Sequence, residues 1–244
     1  MKAVQVSNRD KHLLKVRELE EMVLSEKQPP SYAEVAKRFS ALSATFEEII
    51  AQGFPAYSVD YLSGKGIYSV VTKELIEAIE HELSLRNLLN ARVLEIFAGH
   101  GLLSHFLGQK GIDIVATDDY SWEMQRLPTV QRVSYAEALK VYQPEVVFAF
   151  WPVNSPTIAK QVLNSASVTY YLSVDELLVS NQVRRSRPAG FSSIHLKAVE
   201  QALICQTDIF EPRKDGGILE LKCSDAILYQ RRSLTSIASS PKSW

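Results

Sequence analysis

The sequence predicts an α/β fold in which a doubly wound, mostly parallel sheet of about seven strands follows an N-terminal helical segment. Three observations carry that prediction. Apolar residues recur at helical spacing up to about residue 90; beyond it, short apolar runs alternate with helical segments; and a strand, a small-residue turn and a helix start follow one another at 93–104. The expected division is therefore residues 1–90, a helical cap, and residues 91–244, the sheet domain.

In the first segment Pro29 and Pro30 interrupt the chain, and Ser31 with Glu34 forms a capping box that starts a helix. Val35, Phe39, Leu42, Phe46, Ile49 and Ile50 give it one apolar stripe ending near Gly53. A second helix begins at about Thr72, with Leu75, Ile76, Ile79 and Leu83 on one face. Between them lies AYSVDYLSGKGIYS, whose Tyr57, Tyr61 and Tyr68 suggest a functional loop.

In the second segment ARVLEIF, DIVAT, a short run at 130–133, EVVFAF and SVTYYLSV read as strands. LLSHFLGQK, AEALKVY after the capping pair Ser134 and Glu137, and the stretch from Ser155 read as helices, with a helix or irregular crossing from Ser121. SSIHLKAVEQA reads as a further helix carrying His195, and ALICQTDIF with DAILYQRR as an antiparallel hairpin closing the sheet edge. Arg184, Arg185 and Arg187 fall in an apparent loop and read as a solvated cluster.

Composition narrows the function. The 244 residues carry 27 basic and 28 acidic side chains, so no overall field advertises nucleic acid or an anionic membrane. Cys205 and Cys223 alone make neither a disulfide framework nor a zinc site, and no metal is expected. With neither a signal-peptide run nor a membrane-spanning stretch, the expected location is the cytoplasm, with no membrane partner.

The informative stretch is Val93-Leu94-Glu95-Ile96-Phe97-Ala98-Gly99-His100-Gly101-Leu102. Ala98, Gly99 and Gly101 let a ligand approach the backbone, and the helix start beyond them offers unpaired amides and a positive dipole end. Glu95 stands where open sheets bind ligands and suits an ammonium or hydroxyl group. A nicotinamide dinucleotide is the rival, because the turn nearly matches G-x-G-x-x-G/A and Asp118 lies 17 residues after Gly101. Glu95, however, would repel a pyrophosphate.

Glu95-Ile96-Phe97-Ala98-Gly99-His100-Gly101 resembles the first motif of class I S-adenosylmethionine-dependent methyltransferases, in the variant found in ribosomal RNA guanine and DNA methyltransferases. The likeness is strongest over 91–121 and fits the element order to about 233. It implies a Rossmann-like methyltransferase sheet with S-adenosylmethionine as cofactor. Glu95 would hold the methionine amino group, directly or indirectly, and Phe97, Ala98, Gly99, Gly101 and Leu102 would form the cradle. Asp118, or Asp119 if the register slips, would accept the ribose hydroxyls. Ser134 and Tyr135 fall where the family places its adenine contact.

The fourth motif departs from the family pattern. Phe148-Ala149-Phe150-Trp151-Pro152-Val153-Asn154 keeps one proline and an aromatic, with Asn154 as a displaced acceptor, which weakens a nucleobase-amine substrate and favours a small-molecule methyl acceptor, nucleic acid staying open. Trp151, Asn154 and Tyr68 are the candidate catalytic residues by position, with Asp175 following the fifth strand. A catalytically silent binding or regulatory subunit is the second reading, an NAD-dependent oxidoreductase the third. Oligomeric state is not legible.

Overall fold

The computed structural model describes residues 8–51, 67–152, 155–205, 208–212 and 217–232. Tyr57, Tyr61 and Asn154 lie outside them.

Two helices open the chain, α1 (Asn8–Val23) and α2 (Tyr32–Ala51), followed by β1 (Ser69–Val70) and α3 (Lys73–Leu85). Capping fixes where α2 and α3 begin. The Ser31 amide and hydroxyl both donate to Glu34 Oε2, at 3.0 and 2.7 Å, and Thr72 Oγ1 accepts from the Leu75 amide at 3.1 Å. Sequence reasoning missed α1, although Val16, Leu19 and Val23 show helical spacing and are buried. Leu19 and Val23 pack with Val35, Ala36 and Val70 in a cluster of their own.

The sheet domain continues with β2 (Val93–Ile96), α4 (Leu102–Gln109), β3 (Ile114–Asp118), β4 (Gln131–Arg132), α5 (Tyr135–Tyr142), β5 (Val146–Phe150), α6 (Ser155–Asn164), β6 (Tyr170–Glu176), α7 (Leu177–Ser186), β7 (Phe191–His195), α8 (Lys197–Ala202), β8 (Ile204–Cys205), β9 (Ile209–Pro212), β10 (Ile218–Leu221) and β11 (Ser224–Arg231). Seven strands form one sheet in the order β4-β3-β2-β5-β6-β11-β7. The β4-β3-β2-β5-β6 ladder is parallel, and β11 runs antiparallel to both its neighbours.

Strand alternation divides the core. Val93, Val146, Phe148, Leu172 and Leu228 face α3, α4 and α8, whereas Leu94, Ile96, Val147, Ala149 and Tyr171 face α5, α6 and α7. The sheet is thus covered on both faces, which is the doubly wound architecture expected. Because the chain starts at β2, steps outward to β4 and returns at β5, a crevice opens at the carboxyl ends of β2 and β5.

Three expectations near the C-terminus need correction. SSIHLKAVEQA is not one helix: Phe191–His195 is strand β7, paired with β11, and only Lys197–Ala202 is helical. DAILYQRR is not half of an edge hairpin with ALICQTDIF, because β11 inserts between β6 and β7 with its first six residues buried. ALICQTDIF is instead split by Asp208, whose carboxylate accepts from the amides of Cys205 and Cys223, each at 2.9 Å; β8 then pairs with β1, and β9 with β10. Lastly, Arg184 and Arg185 stand in the last turn of α7, where cations complement the helix dipole, and not in a loop. The stretch 119–130 is the irregular crossing of the two alternatives.

No helix among the described residues is long and apolar enough to cross a membrane.

Candidate functional site

Two adjoining cavities occupy the crevice. The larger, of about 490 Å³, is lined by Tyr68, Phe97, Gly99, Asp118, Asp119, Ser121, Trp122, Met124, Phe150, Trp151 and Glu176. The smaller, about 80 Å³, takes in Glu95, Ala98, His100, Gly101, Leu102 and Leu103 and shares Tyr68, Phe97, Gly99 and Phe150 with the first. One continuous cleft therefore runs from the start of α4 across the end of β3 to the ends of β5 and β6.

The turn after β2 is built on left-handed backbone. Phe97, Gly99 and Gly101 have φ of 57°, 53° and 82°. For Phe97 that is an unusual conformation, and its ring packs against Tyr135 at 5.5 Å between centroids. The turn's amides are largely committed: Ala98 donates to the Thr117 carbonyl at 3.0 Å, Gly99 to Asp118 Oδ2 at 3.1 Å and Gly101 to the Ala98 carbonyl at 2.8 Å. Ala98, Gly99 and Gly101 thus shape the cradle more than they donate into it. The helix start supplies the donors, because Gly101 caps α4 without a side chain and the Leu102 and Leu103 amides make no hydrogen bond with the described residues.

Glu95 ends inside the smaller cavity at 4% exposure. Its Oε2 accepts from the Ser104 amide at 3.1 Å and from the Ser104 hydroxyl, while Oε1 has no partner among the described residues. Burial pushes its pKa up to about 7, against the opposing pull of the Ser104 hydrogen bonds. A carboxylate so placed is poised to ionise against a cation.

At the end of β3, Asp118 is held by three donors: the Gly99 amide on Oδ2, and on Oδ1 the Tyr120 amide at 2.9 Å and Arg126 Nη2 at 3.0 Å. Arg126 also donates to the Trp122 and Met124 carbonyls and lies 4.2 Å from the Tyr120 ring centroid. One guanidinium therefore organises the irregular crossing around the acid. Removing it leaves a nearly buried carboxylate with two amide donors, so Arg126→Met is expected to lower stability by about 2 kcal/mol, a fall in Tm of about 6 °C on a calorimetric scan. Asp119 is exposed and accepts from the Ser121 amide at 2.9 Å, a bond that holds its pKa below the usual carboxylate value.

Of the remaining expectations, Tyr68 and Trp151 reach the cleft. Tyr68 meets Trp122 edge-on at 6.1 Å. Trp151 has φ of 55°, and its amide donates to the Val174 carbonyl at 2.8 Å, fixing the turn after β5. Ser134 and Tyr135 are not brought to the cleft: the Ser134 hydroxyl caps α5 by accepting from the Glu137 amide at 3.3 Å, and the Tyr135 hydroxyl donates to Gln161. Asp175 points inward, accepting from Ser155 and Ser173, each at 2.7 Å, and burial raises its pKa to about 6. Its neighbour Glu176, which faces the cleft, went unnamed in the sequence, as did Trp122 and Met124, while Phe150 appeared only as part of the fourth motif and not as a site residue. Strand alternation pointed to Glu176 once Asp175 was placed inward. His195 sits between Asp225 and Glu200 at 3.2 and 3.4 Å, outside both cavity linings.

No family model matches the sequence, and no curated protein matches it. Solved structures resemble its fold. Magnesium protoporphyrin IX methyltransferase from Synechocystis PCC 6803 with bound SAM is 13% identical over 82% of this chain and 96% of that one, with a TM-score of 0.42. Precorrin-6y C5,15-methyltransferase from Geobacter metallireducens GS-15 is 12% identical over 67% and 90%, TM-score 0.44. A SAM-dependent O-methyltransferase from Thermotoga maritima is 10% identical over 73% and 72%, TM-score 0.43. At such identities and scores no activity passes from these proteins to this chain, and the fold stands on its own strand order.

Proposed function

We propose that the chain is an S-adenosylmethionine-dependent methyltransferase whose acceptor is a small molecule. The observation that carries this reading is the pairing, in one cavity, of a buried carboxylate whose second oxygen, and a helix start whose first amides, have no partner among the described residues. A zwitterionic amino-acid tail satisfies both at once, its ammonium on Glu95 and its carboxylate toward the Leu102 and Leu103 amides. In the same reading Asp118 receives the ribose, with Asp119 beside it, and Phe97, Ala98, Gly99 and Gly101 shape the approach. The cofactor supplies an electrophilic methyl group when bound. The chain's task is then to orient an acceptor and exclude water, which falls to Trp151, Phe150 and the Tyr68 wall contributed by residues 1–90.

A dinucleotide fits less well, because its pyrophosphate would meet Glu95 and hold it protonated. Isothermal titration with S-adenosylmethionine, S-adenosylhomocysteine and NAD tests the choice. Both sulfur nucleosides are expected to bind in the micromolar range with NAD silent; NAD binding alone would overturn the assignment. Turnover by the wild type, lost in Glu95→Ala with Asp118→Ala, separates an enzyme from a silent binding subunit.

A further inference from the structure

The cleft has two ends of different character, and the second end points to the class of acceptor. Its larger cavity is lined by five aromatic residues, Tyr68, Phe97, Trp122, Phe150 and Trp151, and by three acids, Asp118, Asp119 and Glu176. No lysine or arginine lines either cavity among the described residues, although the chain as a whole is almost balanced in charge. The nearby Arg126 is spent on Asp118 and two carbonyls.

The three acids are not equivalent. Asp118 is held by three donors and Asp119 by the Ser121 amide, both at the β3 side, where the cofactor reading uses them. Glu176 stands apart, across the cleft at the end of β6. It occupies the residue before α7 and its backbone pairs with Ser224, yet its side chain makes no capping bond, and its carboxylate makes no hydrogen bond or ion pair with the described residues. An exposed carboxylate with no partner among the described residues, beside the aromatic side chains of Phe150 and Trp151, is a receptor for positive charge: ring faces attract cations, and the carboxylate supplies the counter-ion. Among the described lining residues a phosphate or carboxylate group on the acceptor would meet only like charge, and a polynucleotide backbone would find none of the cations it needs.

We propose that the acceptor is a small molecule carrying an amino group, which binds protonated at the β5 and β6 end of the cleft with Glu176 as counter-ion and Phe150 and Trp151 as the apolar wall; if that nitrogen is the one methylated, it first gives up a proton to solvent. This rests on the cofactor reading above, which assigns the β2 and β3 end to the nucleoside.

The test uses the whole chain and three near-isosteric ligands: phenethylamine, 2-phenylethanol and phenylacetate. S-adenosylhomocysteine is titrated first, so that failure of the cofactor reading is seen separately, and the three ligands are then titrated into the saturated protein. Phenethylamine is expected to bind about tenfold more tightly than either competitor, and Glu176→Gln to remove that preference while leaving the affinity for S-adenosylhomocysteine as it was. The proposal falls if the alcohol or the carboxylate binds as well as the amine, if the preference survives in Glu176→Gln, or if the amine shows no binding up to about 10 mM.

Discussion

Below neutrality, the affinity for S-adenosylhomocysteine is expected to fall about tenfold for each unit of pH, and to level off above pH 7. The cause is Glu95, which burial holds at a pKa of about 7. The ligand's ammonium stays charged throughout this range, so the titrating partner is the protein, and only its ionised form makes the charge-assisted contact. Glu95→Gln is expected to weaken binding by roughly 10- to 100-fold at pH 8 and to flatten the profile. Calorimetric titrations from pH 5.5 to 8 on both proteins measure this; a flat wild-type profile would remove Glu95 from the cofactor's ammonium.

The same group has a second signature in the absence of ligand. The folded protein keeps a proton on Glu95 between pH 4.5 and about 7 that the unfolded chain has already lost. It binds more protons when folded, so its contribution to stability is complete below pH 4.5 and disappears as pH rises through 7, a change of roughly 3 kcal/mol. Asp175, raised to about 6, slopes the same way, so comparison with Glu95→Gln isolates the first group. Urea denaturation across that window is expected to show a shallower decline in the variant.

Gly101→Ala is expected to cost about 3 kcal/mol and most of the cofactor affinity. A methyl group there would lie 2.3 Å from Val130 Cγ2, and the backbone φ of +82° is disfavoured for any side chain. Val130 cannot turn aside freely, since it is β-branched and 3% exposed, and its amide is bound to the Leu127 carbonyl at 3.0 Å. The two costs separate in Gly101→Ala with Val130→Ala, which relieves the overlap and leaves the strained φ. Urea midpoints should therefore order as wild type, double variant, single variant. A single variant within about 0.5 kcal/mol of wild type would mean that the turn moves readily.

Much of the architecture was legible because each signal was local. Ser31 with Glu34 and Thr72 start their helices through bonds no more than three residues long. VLEI, VVFAF and YYLSV announce buried strands by short, mostly apolar runs, since both faces of the sheet are covered. The misread strand has a different cause. SSIH has a composition that fits helix or strand, and its pairing with β11, over thirty residues away, settled the matter. Ser134 is a different case: the family pattern places an adenine contact there, but the local capping pair with Glu137, legible in the sequence, uses its hydroxyl oxygen.

The opening motif divides in the same way. By itself the sequence determined the strand, the acid, the small-residue turn and the helix start of residues 93–104, because small residues and capping are properties of adjacent positions; the left-handed backbone at Phe97, Gly99 and Gly101 came from the structure. Only the tertiary structure decided that the turn's own amides are consumed by Thr117, Asp118 and Ala98, that Asp118 is clamped by Arg126, and that the Glu176 carboxylate finds no partner among the described residues across the cleft. Which polar groups remain open to a ligand depends on which have been satisfied from elsewhere in the chain, and those partners come together only when the sheet is assembled.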